Sequence, residues 1–425
     1  QGYSSAASDV YKRQVPVVGR DDKGFWTVTT DAAVTPWQIG DGSGNPVEAT
    51  GDEQVELFRS VKAGNGRVEI ALTDGGTLSA AQVNDLSVAG TANCYVVSAP
   101  GTYVFNARVR GNGAGEGVGF EPAIEMADGM TADWLWTDSE GLVSGVALDT
   151  TSGDIFLTVG EGRGNALVAL MQDGKVVWSW HVWVTDAPQT MTYGNGTVFM
   201  DRNLGAVGTT AGGTDAYGMY YQWGRKDPFY GGEKTETSAN AFLEAKNGTV
   251  VNPAYPALDW AFSKSATTTD GAAANPMTFY NDKVGTGYNW LASPNATLWG
   301  EAKTLNDPCP PGYRVPGTGA WEDLISGRQY IDGVSVWDGT NYGMTYTHGG
   351  QTAWYPAQGY RNYSSGAIVG LRSSTGGSGA YWSAETSSVK SYYLFFRSKL
   401  SSSGSINNEL DMNRSYGYTV RCCKE

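Results

Sequence analysis

Apolar and polar residues alternate with a period of two through much of this chain, and that period predicts strands. From Phe25 to Thr30 and from Arg67 to Leu72 the alternation is that of half-buried strands. Ala92–Val97, Gly101–Phe105, Ile155–Val159 and Ala166–Met171 predict four more, read as two pairs, the first joined at Ala99-Pro100-Gly101. The run Val176–Val184 is the strongest. Side chains on a strand alternate faces, so Trp178 and Trp180 share one side while His181 and Trp183 take the other. Helical signals are confined to Ala239–Lys246, closed by Asn247-Gly248, and to Trp321–Tyr330, which carries Trp321, Leu324 and Ile325.

Short strands at this spacing favour β-sandwich modules of immunoglobulin-like type. The fold class expected is mainly β and multi-domain. Proline cannot continue a ladder, so Asp186-Ala187-Pro188 marks a boundary. The division is a β-rich module over 15–88, a β-sandwich module over 89–188 and a C-terminal domain over 189–425. The opening Ser4–Gln14 resembles translated adaptor sequence, so residues 1–14 are set aside from fold reasoning, and a secretion signal or lipid-anchor cysteine is expected upstream.

The 58 glycines, 15 tryptophans and 24 tyrosines, against only 17% charged residues, fit turn-rich β structure packed with aromatic rings. A formal net charge of −14 argues against nucleic acid and anionic lipid, which need a basic footprint. Four cysteines, Cys94, Cys309, Cys422 and Cys423, show no C-x-x-C spacing, so zinc ribbons and thioredoxin-like chemistry have no support.

Catalytic patterns are also missing. His181 and His348 are too few and too far apart for a histidine zinc site. His181, flanked by tryptophans, reads as structural, and His348 before Gly349-Gly350 as a turn residue. Asp41–Pro46 begins like a calcium loop, but Pro46 stands where that loop needs glycine, so a plain turn is the better reading. The alternating glycines from Gly111 to Gly119 do not fit a dinucleotide loop, and Ser378 misses the nucleophile elbow by one residue. Glu116 with Glu121, or Asp133 with Glu140, are the carboxylate pairs to weigh for glycoside hydrolysis, and solvated loop charges are the simpler reading of both. No catalytic residue, metal or cofactor is expected.

Five separated motifs carry a family resemblance. They are Phe199–Ala206, Tyr220–Phe229, Asp307–Pro316, Tyr381–Glu385 and Val420–Glu425. In this order they resemble the FISUMP-type "major paralogous" domain of Bacteroidetes surface proteins, over residues 189–425. The resemblance implies a C-type-lectin-like α+β fold on an exported protein. It also implies a disulfide from Cys309 to the C-terminal end, expected at Cys422, with adjacent Cys423 the alternative. The stretches Ala92–Val97 and Trp178–Asp186 resemble the β module that precedes this domain in fimbrillin-like proteins.

Within the motifs, Asp201, Arg202, Asn203, Trp223, Arg225, Asp227 and Trp382 are expected to be scaffold. Ser293-Pro294-Asn295 and Tyr280-Asn281-Asp282 only approximate a calcium-dependent sugar site, in reversed order and without its acidic ligand. Aromatic platforms need no metal, and Trp290, Tyr342, Trp354, Tyr355 and Tyr360 are the ligand-contact candidates. The expectation is an extracellular or outer-membrane surface adhesin for glycan or protein on host or neighbouring cells, with fimbrial or outer-membrane partners. A ligand-free surface or pilus subunit and a glycan-processing enzyme are the rival readings.

Overall fold

Continuous apolar runs and alternating runs lead to different strands, and both occur. The structure, a computed structural model, describes residues 83–112, 123–231, 249–371, 377–398 and 405–425, and before them Lys23 and the strands between residues 17 and 81. Strands make up 45% and helices 5%, in several sheets, and among the described residues no sheet closes into a barrel. The chain divides into two compact units, 1–80 and 81–425. The first holds two three-stranded sheets: Val17–Arg20, Trp26–Thr29 and Trp37–Gln38 in one, Phe58–Gly64, Arg67–Leu72 and Thr77–Ala81 in the other. Asp41–Pro46, Gly113–Gly119, Glu116, Glu121 and the helix expected at Ala239–Lys246 lie outside the described residues.

The second unit begins with two sheets facing each other. One runs Val250–Val251, Met130–Thr137, Gly164–Gln172, Lys175–Val184 and Cys94–Val97, the last parallel to its neighbour. The other runs Val143–Asp149, Asp154–Val159, Gly101–Asn106 and Val83–Asp85. Val97, Phe105, Ile155, Leu157, Trp180 and Val182 form the core between them. The opposite face of the larger sheet, with Cys94, Leu135, Leu167, Ala169 and Trp183, is covered by residues from the C-terminal half. A strand buried on both faces needs no polar side, which is why Ala166–Met171 is unbroken apolar sequence. The expected split of Trp178 and Trp180 from His181 and Trp183 is what the two cores show.

Two pairings differ from expectation. Cys94–Val97 and Gly101–Asn106 lie in different sheets, as do Asp154–Val159 and Gly164–Gln172. Each short connection crosses from one layer to the other instead of folding a hairpin, because both strands bury apolar faces against the shared core.

Past residue 188 the chain builds small sheets around two aromatic cores. Thr190–Thr192, Val198–Met200, Cys423–Lys424 and Tyr313–Arg314 form one sheet in that order, so the last strand of this region pairs with the second strand of its opening hairpin. The helix expected at Trp321–Tyr330 is instead a 3-10 helix, Thr318–Leu324, followed by a tight hairpin, Ile325–Ser326 with Gln329–Tyr330. Trp321 and Leu324 still bury together, since i and i+3 align in a 3-10 turn. Gly327 and Arg328 take φ of 54° and 65°, a left-handed two-residue turn that stops any helix. His348 closes the hairpin Gly343–His348 with Gln351–Pro356, whose turn is Gly349-Gly350.

Candidate functional site

The motif residues make a buried polar frame. Arg202 donates to both oxygens of Asp201 and both of Asp186 at 2.8–3.1 Å, and to Thr185 Oγ1 at 3.0 Å. This fork fastens the strand ending at Val184 to the start of the C-terminal region, and the guanidinium holds Asp186 down at about 2. Asn203 donates to Gln358 and Tyr381 and accepts from Arg421, whose guanidinium lies 3.7 Å over the Tyr355 ring. Trp223 and Trp382 donate to the carbonyls of Ser383 and Tyr221.

Arg225 and Asp227 are both buried, but their nearest approach is 3.9 Å. Arg225 spends its donors on Gln222 and the carbonyls of Pro276 and Thr278, under the faces of Phe229, Tyr280 and Trp290. The counter-charge of Asp227 is Lys226, 2.5 Å away, with Ser179 donating at 2.7 Å. Sequence reasoning missed Lys226, and it also missed Lys303, whose ammonium donates to the carbonyls of Cys309, Pro310 and Tyr313. Runs such as Arg225-Lys226-Asp227 carry no signal of burial, because the burying partners are distant in sequence.

Cys309 is bonded to Cys422, and both are buried. The remaining thiols, Cys94 and Cys423, are buried too. Burial pushes both up, Cys423 to about 11, so neither is a ready thiolate.

The candidate ligand-contact aromatics separate into two groups. Trp290, Trp354 and Tyr355 belong to the core, at 2%, 7% and 0% exposure, and offer no ring face to a ligand. Their burial corrects the expectation: in a region short of leucine and isoleucine, rings fill the interior. Tyr342 is half-buried at a left-handed turn, φ 54°. Tyr360 is different. It stands in a patch with Tyr288, Tyr363 and Tyr416, all half-buried, where two hairpins meet the turn at Asn413–Tyr416. Ring centroids are 4.6 Å apart for Tyr288 and Tyr363, 4.9 Å for Tyr363 and Tyr416, and 5.7 Å for Tyr360 and Tyr416. Buried Tyr418 and Tyr393 support the patch from beneath. The turns are fixed locally: Asn362 accepts from Ser364, and Asn413 accepts from the Tyr288 amide at 3.1 Å. None of the four hydroxyls has a hydrogen-bond partner among the described residues, and none is sealed from solvent. Ring faces and free hydroxyls therefore lie side by side at one surface, which is what a flat, hydroxyl-rich ligand requires.

No three histidine, cysteine, aspartate or glutamate side chains gather into a metal site among the described residues. Asn281 is buried, Asp282 accepts from the following amide, and Asn295 caps its own turn at Thr297. Asp133 accepts from Tyr255 at 3.1 Å, and Glu140 lies exposed in a turn. Compared with known proteins, the chain matches no family model, no curated protein and no solved structure.

Proposed function

We propose that this chain is an exported surface protein that binds glycan on host or neighbouring cells through the tyrosine patch of Tyr288, Tyr360, Tyr363 and Tyr416. The patch carries the reading, because four partly exposed rings with unsatisfied hydroxyls combine apolar stacking with hydrogen bonding. The Cys309–Cys422 bond fits an oxidising compartment. The motif resemblance to FISUMP-type domains supports a C-type-lectin-like reading of residues 189–425, and so does the single sheet that holds that region's opening hairpin and its last strand. The facing sheets before it support an immunoglobulin-like reading. In this proposal the chain works as an adhesin beside fimbrial or outer-membrane partners.

A mucin and microbial glycan array tests it. Tyr363→Ala and Tyr288→Ala are expected to weaken binding about tenfold each, the loss of one stacked ring. Tyr363→Phe keeps the stacking and loses only the hydroxyl's share. Wild-type protein that binds no glycan would favour the ligand-free surface subunit. Release of shortened glycan would favour the enzyme.

A further inference from the structure

A second polar recess lies away from the tyrosines. It is a cleft of about 180 Å³ lined by Asp138, Asn165, Thr214, Tyr217, Met219 and Tyr230, among others. Asp138 Oδ2 accepts two hydrogen bonds from Asn165, 2.9 Å from its amide nitrogen and 2.7 Å from Nδ2. The Asn165 side chain is itself oriented. Its Nδ2 also donates to the Gly205 carbonyl at 3.0 Å, so Oδ1 must face His181 Nε2 at 2.8 Å and accept from it. That fixes the imidazole proton on Nε2 and leaves Nδ1 to accept from the Tyr221 hydroxyl at 3.4 Å. Gly205, at φ 87°, makes room: a Cβ there would lie 2.5 Å from Met219 and 3.1 Å from Asn165 Oδ1.

The carboxylate so positioned lacks something its counterparts have. Fully buried Asp227 has Lys226 at 2.5 Å, and fully buried Asp307 has Lys303 at 3.9 Å. Among the described residues, the lining around Asp138 contains no lysine, arginine or histidine. The nearby Arg163 is committed to Asp186 at 2.9 Å and to the Val207 carbonyl. Only the Asn165 hydrogen bonds oppose burial, which pushes Asp138 up to about 6. Asp138 Oδ1 takes no hydrogen bond from any described residue and is not sealed from solvent. A carboxylate that shares a cleft with the Tyr217 ring, one oxygen anchored and the other open, suits an ammonium group, whereas the Tyr230 ring already carries the Arg361 guanidinium 4.2 Å over its face.

We propose that this cleft is a recognition site for a small primary ammonium, with Asp138 as its counter-ion and Tyr217 beside the cation. The site is independent of the tyrosine patch. Calorimetry on the full chain at neutral pH, with glucosamine, N-acetylglucosamine and Nα-acetyl-lysine amide as probes, tests it and separates an amino sugar from a peptide amine as the source. Glucosamine or the lysine probe is expected to bind, and N-acetylglucosamine, which has no charge, at least tenfold more weakly. Asp138→Asn keeps an oxygen for Asn165 and is expected to remove the preference for the charged probe. Tyr363→Ala should leave ammonium binding unchanged, so the two sites fail separately. Equal affinity for the charged and neutral probes, no binding of either amine, or an Asp138→Asn protein that binds amines as wild type does, overturns the proposal.

Discussion

Replacing Cys309 and Cys422 together by serine is expected to lower the unfolding free energy by about 4 to 5 kcal/mol, seen as an earlier urea midpoint with little change in the native spectrum. The two residues are 113 apart in sequence, and the chain-entropy cost of leaving so long a loop open in the unfolded state sets that figure. The bond ties the loop at Asp307–Val315 to the final strand, where Asp307 caps the amides of Cys309 and Val315. Reduction by dithiothreitol of the unfolded, but not the folded, wild-type protein should bring the same loss, because both sulfurs are buried. A double-serine protein that unfolds at the wild-type midpoint would refute the argument.

Acid is expected to destabilise the fold through His181. Burial pulls this histidine down to about 3, whereas in the unfolded chain it titrates near 6.5. A group whose folded value is depressed contributes fully above its unfolded value and loses that contribution as pH falls toward the folded one. Between about pH 6.5 and 3 the unfolded chain therefore takes up a proton that the folded chain refuses. Each pH unit in that window costs about 1.4 kcal/mol, on the order of 5 kcal/mol in all. Asp138 works the other way. Its folded value, about 6, is raised, so it favours the folded state as pH falls from 6 toward 3.8 and offsets part of the loss. The clean readout is the difference between wild type and His181→Gln, which cannot protonate. Denaturant curves at intervals from pH 7 to pH 3.5 should show a shallower acid decline for the variant. Parallel declines would mean that His181 protonates in the folded chain.

The local rules of the strand were legible from sequence, and the choice of neighbours was not. Alternation along Val176–Val184 assigns each tryptophan to its core because the pleat allows only two faces. The same rule cannot say that Cys94–Val97 leaves its successor for a sheet across the core, since hairpin and crossover begin with the same turn residues. At Trp321–Tyr330, apolar spacing that fits an α-helix also fits one 3-10 turn followed by a hairpin, and Gly327-Arg328 decided between them. The aromatic candidates show the same limit. Tyr355 and Tyr360 look alike in sequence, but Arg421, sixty-six residues past Tyr355, covers the first, while Tyr360 keeps part of its ring at the surface beside Tyr416. Asp138 was one acid among 43, and nothing near it in sequence announced Asn165 or His181 as partners.

The adjacent cysteines where the chain enters its last strand turn to opposite sides, Cys422 into one aromatic core and Cys423 into the other. Cys309 can reach only the first while the strand stays in register. Sliding that strand by a single residue would exchange the two sulfurs and turn every side chain inside out. A chain sealed through Cys423 instead would carry its terminus upside down, so the native bond and the native register require each other.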